Sequence, residues 1–238
     1  MTEEFAVERE DGRLDAAGKK RLVVVVGFMA LTWAILLVAA GSWRWLAGWL
    51  FIGLQAAVFL GMGLWVARRN PGVINERGRK SDKTKGWDKV FGLVYAPQLF
   101  LLPLVAGLDY RYGWTAVPPI WQIAAFLLLI PAMALPYWAM AVNNFLVTTV
   151  RLQEERGQYV VTVGPYRAVR HPMYVGAIFI MLCTPLALSS WWALLPGGAA
   201  ALAMVARTAL EDRTLQLELP GYAAYAQQTR SRLLPGVW

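Results

Sequence analysis

The sequence predicts an all-α integral membrane protein with about six transmembrane helices, of which the last two form a short hairpin, and a C-terminal cytoplasmic helix that caps the functional site. Three observations predict this class. Hydrophobic residues make up 58% of the 238-residue chain and charged residues only 16%, whereas soluble domains carry about a quarter charged residues. Five stretches contain no charged residue, and the basic residues gather between alternate stretches.

The five uncharged stretches define the predicted membrane spans. They cover residues 22–40, 45–67, 90–108, 117–142 and 173–206. Each of the first four is long enough to cross a hydrocarbon core, which takes about 20 residues at about 1.5 Å per residue. The fifth is longer and is interrupted by SSWW, so we predict a tight turn between two short spans. Six crossings place both termini on one side of the membrane.

The basic residues predict which side that is. All but Arg44 and Arg111 of the 23 Lys and Arg residues lie in the N-terminal tail, in the segments 68–89 and 143–172, or beyond residue 206. Basic residues mark cytoplasmic loops, so we expect both termini and the site in the cytoplasm, and a bacterial inner membrane as the location. The basic segment 68–89 is interpreted as a loop that lies against anionic headgroups, with its charges forming a solvated face that helps to set the topology. No soluble segment interleaves these charges with aromatic residues, which excludes a nucleic-acid partner.

Composition also limits the chemistry. One histidine and one cysteine exclude a His-rich metal centre, a CxxC motif and a disulfide framework, so no metal is expected. The first span is longer than the about 7–15 apolar residues of a cleavable signal peptide, which predicts a retained anchor. We divide the chain into residues 1–142, with the tail and four spans, and residues 143–238, for which the motifs described below predict a cofactor-binding catalytic region. The β-prone stretches 147–151 and 159–163 form either a short hairpin or an irregular excursion.

The densest polar cluster is GPYRAVRHPMYVG at residues 164–176. Pro172 disfavours a helical conformation at His171 and suits the first position of a helix, so His171 is predicted at the cap of the fifth span. The unpaired N–H groups of a helix start, flanked by Arg167, Arg170 and His171, form a site for a small anion such as a carboxylate. Alternatively, the cluster binds no ligand: its basic residues only mark the cytoplasmic end of the span, and its histidine and tyrosine lie at the membrane interface.

A second polar cluster, RTALEDRTLQLE, follows the hairpin at residues 207–218. A helix continuing out of the sixth span would place Arg207 and Glu211 on one face. They could form an ordinary ion pair, although Arg before Glu is the less favourable order, or they could bind a polar ligand together with the first cluster.

The tail, PGYAAY followed by TRSRLLPGVW, looks like a lid packed back on the site, or a plain interfacial tail. Prolines inside the third and fourth spans indicate kinks that serve packing or a lipid pocket.

Together these motifs, from about residue 143 to residue 238, resemble the membrane methyltransferases typified by isoprenylcysteine carboxyl methyltransferase, a group that includes phospholipid N-methyltransferases. Where that family shows two adjacent glutamates, this chain has Glu211 and Asp212. The resemblance implies S-adenosylmethionine as methyl donor and a lipid or lipidated small molecule as acceptor. It implies a catalytic role for Arg207, facing the acceptor, and for Glu211, which would also hold the donor. The remaining implied donor-binding residues are Gly164, Pro165, Tyr166, Arg170, His171 and Tyr174.

Residue chemistry favours one kind of acceptor. A carboxylate is already a nucleophile at neutral pH and needs only alignment by Arg207, whereas an ammonium acceptor needs a base. This favours O-methylation of a lipid-linked carboxylate over N-methylation of a phospholipid. No GxGxxG motif follows a strand, so a soluble dinucleotide-type domain is not expected. A nicotinamide-dependent enzyme resembling sterol reductases and a non-enzymatic membrane protein are also compatible with the composition.

Overall fold

The computed structural model describes residues 12–79 and 84–238, and over these ranges the chain is all-α. The described ranges contain eight α-helices and no strand, which confirms the predicted all-α class. The bounds of the helices are α1 Ala16–Ala40, α2 Leu46–Arg69, α3 Pro71–Gly78, α4 Gly86–Tyr112, α5 Pro119–Val142, α6 Pro172–Ala187, α7 Leu194–Glu218 and α8 Tyr222–Gln228. Short 3₁₀ turns lie at Glu154–Arg156 and Gly164–Arg167.

Four helices, α1, α2, α4 and α5, are long and apolar enough to cross a membrane. Helix α6 is apolar but has only 16 residues, and α7 is apolar in its first half and polar in its second. The chain turns between α6 and α7 at the predicted SSWW interruption. The total of six spans stays a prediction.

The six longer helices form a ring, which α1 closes through contacts with α2 and with the short α3. Helix α2 packs against α5, α5 against α6, α6 against α7, α7 against α4, and α4 against α1. Outward-facing residues are large and apolar: Val23, Leu93 and Leu202 are each more than 70% exposed. Such a continuous exposed apolar surface is the form expected of a protein that faces lipid.

Long-range polar contacts gather helix ends at one end of the ring, called here the site end. The backbone N–H of Asp15, at the start of α1, donates to Asn75 of α3, and Asn70, after α2, donates to the carbonyl of Met140 near the end of α5. The opposite end has its own network, in which the fully buried Asp109 accepts from the backbone N–H of Thr115 at 2.7 Å and the hydroxyl of Ser190 at 2.6 Å. Successive long helices therefore run in alternating directions.

Two expectations about the connecting segments change. The segment 68–89, interpreted as a loop with a solvated charged face, contains α3, whose residues Val73, Ile74 and Glu76 are buried against neighbouring helices. Helix α3 has too few apolar residues to give a recognisable helical pattern within this short basic segment. Of the two possibilities for 147–163, the irregular excursion is the observed one. Its backbone bonds to side chains, as in the contact from Val150 N–H to Asp88 at 2.8 Å.

Glycine allows the closest contact within the hairpin. A Cβ atom on Gly197 of α7 would lie 2.4 Å from the carbonyl oxygen of Met181 of α6, whereas a Cβ on the adjacent Gly198 meets nothing within 4 Å. We expect Gly197→Ala to lower the free energy of unfolding by about 1–3 kcal/mol, because the helices must separate. Gly198→Ala is the matched control and should not destabilise the protein. Thermal unfolding in detergent measures both, and equal midpoints for the two variants would contradict the packing described.

Candidate active site

A cleft lies at the site end, between the excursion after α5, the start of α6 and the second half of α7. It encloses about 790 Å³ of empty space including its open mouth. It is bordered by both polar clusters of the sequence. Six predicted site residues line it: Tyr166, Arg170, His171, Tyr174, Arg207 and Glu211.

His171 and Glu211 meet in this cleft through Tyr174. His171 caps α6, as predicted, with Pro172 as the first helical residue. Its ring lies parallel to that of Tyr174, with centroids 5.7 Å apart, and the Tyr174 hydroxyl donates to the Glu211 carboxylate. An imidazole, a phenol and a carboxylate, drawn from both polar clusters, thus form one continuous surface. These groups suit a ligand that carries hydroxyls and an ammonium.

Asp212, next to Glu211, lies behind the cleft and holds its wall together. Its side chain is fully buried. Its two oxygens accept from the Arg170 guanidinium at 2.7 and 2.9 Å and from Arg232 at 2.9 Å. The Tyr222 hydroxyl donates to it at 3.0 Å, and Nε2 of His171 lies 3.2 Å away. A bidentate pair of this kind is both strong and directional, so Asp212 sets the positions of Arg170 and His171.

These contacts keep Asp212 ionised. Burial alone would raise the pKa of this carboxyl, but hydrogen bonds from His171, Arg170 and Arg232 hold it well below its ordinary value. The pKa of Tyr222 is raised, first by burial and then by the charge of Asp212. Tyr222 therefore stays protonated and donates its hydroxyl hydrogen to the carboxylate.

The C-terminal tail closes over the first cluster. The Arg170 guanidinium donates to the carbonyls of Thr229 and Arg230, at 2.8 and 2.7 Å. The backbone N–H of His171 donates to the carbonyl of Arg232 at 3.0 Å. Helix α8 adds Tyr225, whose hydroxyl donates to the backbone carbonyl of Tyr166 at 2.7 Å. The tail therefore packs back on the site rather than extending away from it.

Arg207 is held at the opposite wall by α4. Its Nε lies 3.0 Å from Oδ1 of Asp88, and it donates to the carbonyl of Thr148 at 3.0 Å. The guanidinium also lies over the rings of Phe91 and Tyr174, at 4.5 and 5.4 Å from their centroids. Because Arg207 pairs with Asp88 and Glu211 accepts from Tyr174, the ordinary ion pair between Arg207 and Glu211 is not formed. Stacking and pairing fix the guanidinium plane at the cleft.

Two predicted donor-binding residues lie outside the cleft. Gly164 and Pro165 form the 3₁₀ turn that leads into Tyr166, and neither borders the empty space. Gly164 has a φ of +61°, and a Cβ there would lie 3.3 Å from Trp138 and Val142. The glycine is needed for this left-handed conformation beside α5. Tyr166 does border the cleft, and its hydroxyl accepts from Asn143 at 2.9 Å.

An apolar groove opens on the lipid-facing side, where α2, α5 and α6 meet. It encloses about 1020 Å³ including its open mouth, and Pro131, Leu135, Trp138 and Gly176 border it. A Cβ on Gly176 would lie 2.6 Å from the carbonyl oxygen of Ala132. Pro131 therefore lies where a lipid chain could fit, while Pro136 packs against Gly176.

Three residues of the site were missed in the sequence: Asp212, Asp88 and Tyr222. In the sequence, Asp212 stands out only as the aspartate beside Glu211 where the family shows a second glutamate. Asp88 lies in the first turn of a membrane helix, where a carboxylate beside apolar residues is a usable signal for an ion pair. Tyr222 follows the helix-ending pair Pro220-Gly221, and nothing in the surrounding sequence indicates that it contacts the site.

Comparison with protein families finds one similarity. Residues 120–218 match the family model described as phospholipid methyltransferase. This segment, less than half of the chain, is therefore similar to that family of membrane methyltransferases. It runs from the second residue of α5 to the last residue of α7 and contains both polar clusters, so the resemblance predicted from the sequence is confirmed there. No curated protein shows significant similarity to the chain.

Proposed function

We propose that this chain transfers a methyl group from S-adenosylmethionine to a lipid-like or lipidated acceptor at the cytoplasmic face of a bacterial inner membrane. The observation that supports the proposal is the meeting of His171, Tyr174 and Glu211 in one cleft within the methyltransferase segment. The orientation rests on the basic residues, since Arg68 and Arg69 end α2 at the same end of the ring as the cleft.

The cleft residues match the chemical groups of the donor. Glu211 would accept from its ammonium or ribose hydroxyls, and His171 and Tyr174 would contact its amino-acid part, with Arg170 supplying positive charge behind them. When bound, the donor supplies an electrophilic methyl group on a cationic sulfur. The protein's part is positioning and exclusion of water, because methyl transfer is an in-line displacement. Arg207, fixed between Asp88 and two aromatic rings, would align the acceptor.

Within this function we propose O-methylation of a lipid-linked carboxylate. An amine acceptor must first lose a proton to a base. Among the described residues, Glu211 in the cleft accepts from Tyr174, and Asp212 behind the cleft accepts from two arginines and Tyr222. A carboxylate acceptor needs no base. N-methylation of a phospholipid is the second candidate, favoured by the description of the matching family.

Calorimetry with purified full-length protein tests donor binding. S-adenosylhomocysteine, the demethylated donor, should bind to the wild type and to Arg213→Ala, a control on the exposed face of α7. It should bind at least about tenfold more weakly to His171→Ala and Glu211→Ala, because each loses a charge-assisted or polar contact. Wild-type affinity in both variants would contradict the site assignment.

The chemistry of the product separates the two acceptors. Membranes are incubated with donor that carries a radiolabelled methyl group, and the labelled product is treated with base. A methyl ester releases labelled methanol and a methylamine does not. Label that stays with the lipid after base treatment would contradict O-methylation while leaving methyl transfer itself intact.

A further inference from the structure

The apolar groove between α2, α5 and α6 is separate from the cleft. No described residue borders both of them. Helix α6 lies between the two, because Met173 and Tyr174 border the cleft whereas Val175 and Gly176 border the groove. Helices α5 and α6 are in backbone contact beside the groove, since a Cβ on Gly176 would lie 2.6 Å from the carbonyl oxygen of Ala132. A molecule in the groove is therefore outside the site where methyl transfer is proposed.

The groove has the form and composition of a site for a hydrocarbon chain. It encloses about 1020 Å³ including its open mouth. All of the residues that border it are apolar or aromatic, among them Met62 of α2, Leu128 and Leu135 of α5, and Phe179 of α6. Helices α2 and α5 are both long and apolar enough to cross a membrane, so the groove opens onto the acyl chains of the bilayer. A chain in the groove makes dispersion contacts with three helices at once.

Two tryptophans border the groove close to the site end. Trp65 of α2 and Trp138 of α5 each lie about one helical turn before the end of their helix, and both are exposed. Neither indole N–H has an acceptor among the described residues. Tryptophan near the end of a membrane helix lies at the level of the lipid headgroups, where its N–H can donate to polar lipid groups. This end of the groove is therefore suited to the headgroup of a lipid.

Unpaired basic residues follow at the same end. Arg69 comes four positions after Trp65, so helical spacing places both on one face of α2, and Arg68 adjoins it. Both arginines are exposed, and neither forms an ion pair within residues 12–79 and 84–238. The side-chain amide of Asn70 donates to the carbonyl of Met140 at 2.8 Å, which holds this end of α2 beside α5. The positive charge complements a lipid whose headgroup is anionic.

We propose that the groove binds an anionic phospholipid of the surrounding bilayer, and that this lipid is not the methyl acceptor. Its acyl chain lies along Leu135 and Phe179, and its phosphate accepts from the guanidinium of Arg69. The indoles of Trp65 and Trp138 contact its glycerol and ester groups. The bound lipid joins α2, α5 and α6 and stabilises the folded state, since it binds the folded chain and not the unfolded one. This site does not depend on which acceptor is methylated.

Thermal unfolding of the full-length protein in dodecyl maltoside tests the recognition of the headgroup. Dioleoylphosphatidylglycerol is the anionic probe and dioleoylphosphatidylcholine the zwitterionic one. Phosphatidylglycerol should raise the melting midpoint of the wild type more than phosphatidylcholine does. In a lipid titration, Arg69→Gln should weaken the apparent affinity for phosphatidylglycerol by about fivefold, because one cationic contact with the headgroup is lost. Arg213→Gln, at an exposed position of α7, is the matched control and should respond as the wild type does.

A second pair of variants tests the groove itself. Ala134→Phe places a ring in the groove and should abolish the preference for phosphatidylglycerol. Ala199→Phe makes the same change at an exposed position of α7 outside the groove and should keep the preference. Equal effects of the two lipids on the wild type would overturn the inference. A preference that persists in both Arg69→Gln and Ala134→Phe would also overturn it, because the lipid would then bind elsewhere.

Radiolabel transfer distinguishes a bound lipid from the acceptor. In membranes supplied with donor that carries a labelled methyl group, Ala134→Phe should transfer label as the wild type does. Loss of transfer in this variant, with S-adenosylhomocysteine still bound, would make the groove part of the acceptor site and would overturn the inference. A wild type that shows the lipid preference but transfers no methyl group would contradict the proposed function and leave the lipid site intact.

Discussion

Replacing Asp212 with alanine should lower the free energy of unfolding by about 3–5 kcal/mol and abolish donor binding. The carboxylate is fully buried and accepts from Arg170, Arg232 and Tyr222. Without it, the Arg170 side chain, 5% exposed, keeps its charge with no anionic partner. Breaking one partner of a buried pair costs more than the pair contributes, because the remaining charge stays desolvated.

Thermal unfolding in detergent and calorimetry with S-adenosylhomocysteine measure this effect. Arg213→Ala, the exposed neighbour on the same helix, controls for substitution at this turn of α7. A wild-type melting midpoint in Asp212→Ala would show that the ion pair contributes nothing.

The pH dependence gives a second measure of the same carboxylate. Because the folded-state pKa lies below the unfolded value of about 3.9, Asp212 contributes full stability above that value and loses it as pH falls toward the folded pKa. The wild type should therefore lose stability more steeply than Asp212→Asn from about pH 5 to about pH 3.

Replacing Arg207 with glutamine should reduce methyl transfer by at least about 100-fold, as removal of a preorganised charged donor does in other enzymes. Binding of the methyl donor should persist, because His171, Tyr174 and Glu211 keep their mutual contacts. The variant should also be less stable, since Asp88 is 5% exposed and loses its ion-pair partner. Radiolabel transfer and calorimetry on the same preparation separate the two effects.

The double variant Arg207→Gln with Asp88→Asn is the control for stability. An asparagine carbonyl can still accept from the backbone N–H of Val150, which now donates to Asp88 at 2.8 Å. The double variant should regain much of the lost stability, because no uncompensated charge remains at this pair. It should not regain methyl transfer. Recovery of transfer along with stability would make Arg207 a structural residue only.

Much of the fold could be predicted because lipid imposes it. A chain in hydrocarbon must satisfy its backbone hydrogen bonds within helices, so uncharged runs of sufficient length identify α1, α2, α4 and α5. Helix α3 could not be predicted in the same way. Helix α3 has only eight residues, and its sequence shows no hydrophobic pattern that marks it as a helix. Val73 and Ile74 are buried because α3 packs against α1 and α2.

Within the site, the conformational restriction that Pro172 imposes predicted that His171 caps a helix. The residues that His171 contacts, however, depend on how the helices pack. Adjacent residues on a helix point about 100° apart, and nothing in the sequence decides which of Glu211 and Asp212 faces the cleft. The structure directs Glu211 to Tyr174 and Asp212 to the buried arginines. The apparent helical pair of Arg207 and Glu211 is replaced by Arg207 with Asp88, 119 positions earlier.

The sequence by itself therefore determined that this chain is a helical membrane protein with two polar clusters at its helix ends and a methyltransferase-like segment. These properties follow from local composition, from helix-ending residues and from motifs that occupy one stretch of chain. Only the tertiary structure decided which charges neutralise each other, as Arg170 with Asp212 and Arg207 with Asp88 do. Ion pairing depends on distances of about 3–4 Å between side chains, and the packing of α3, α4 and α7 sets those distances.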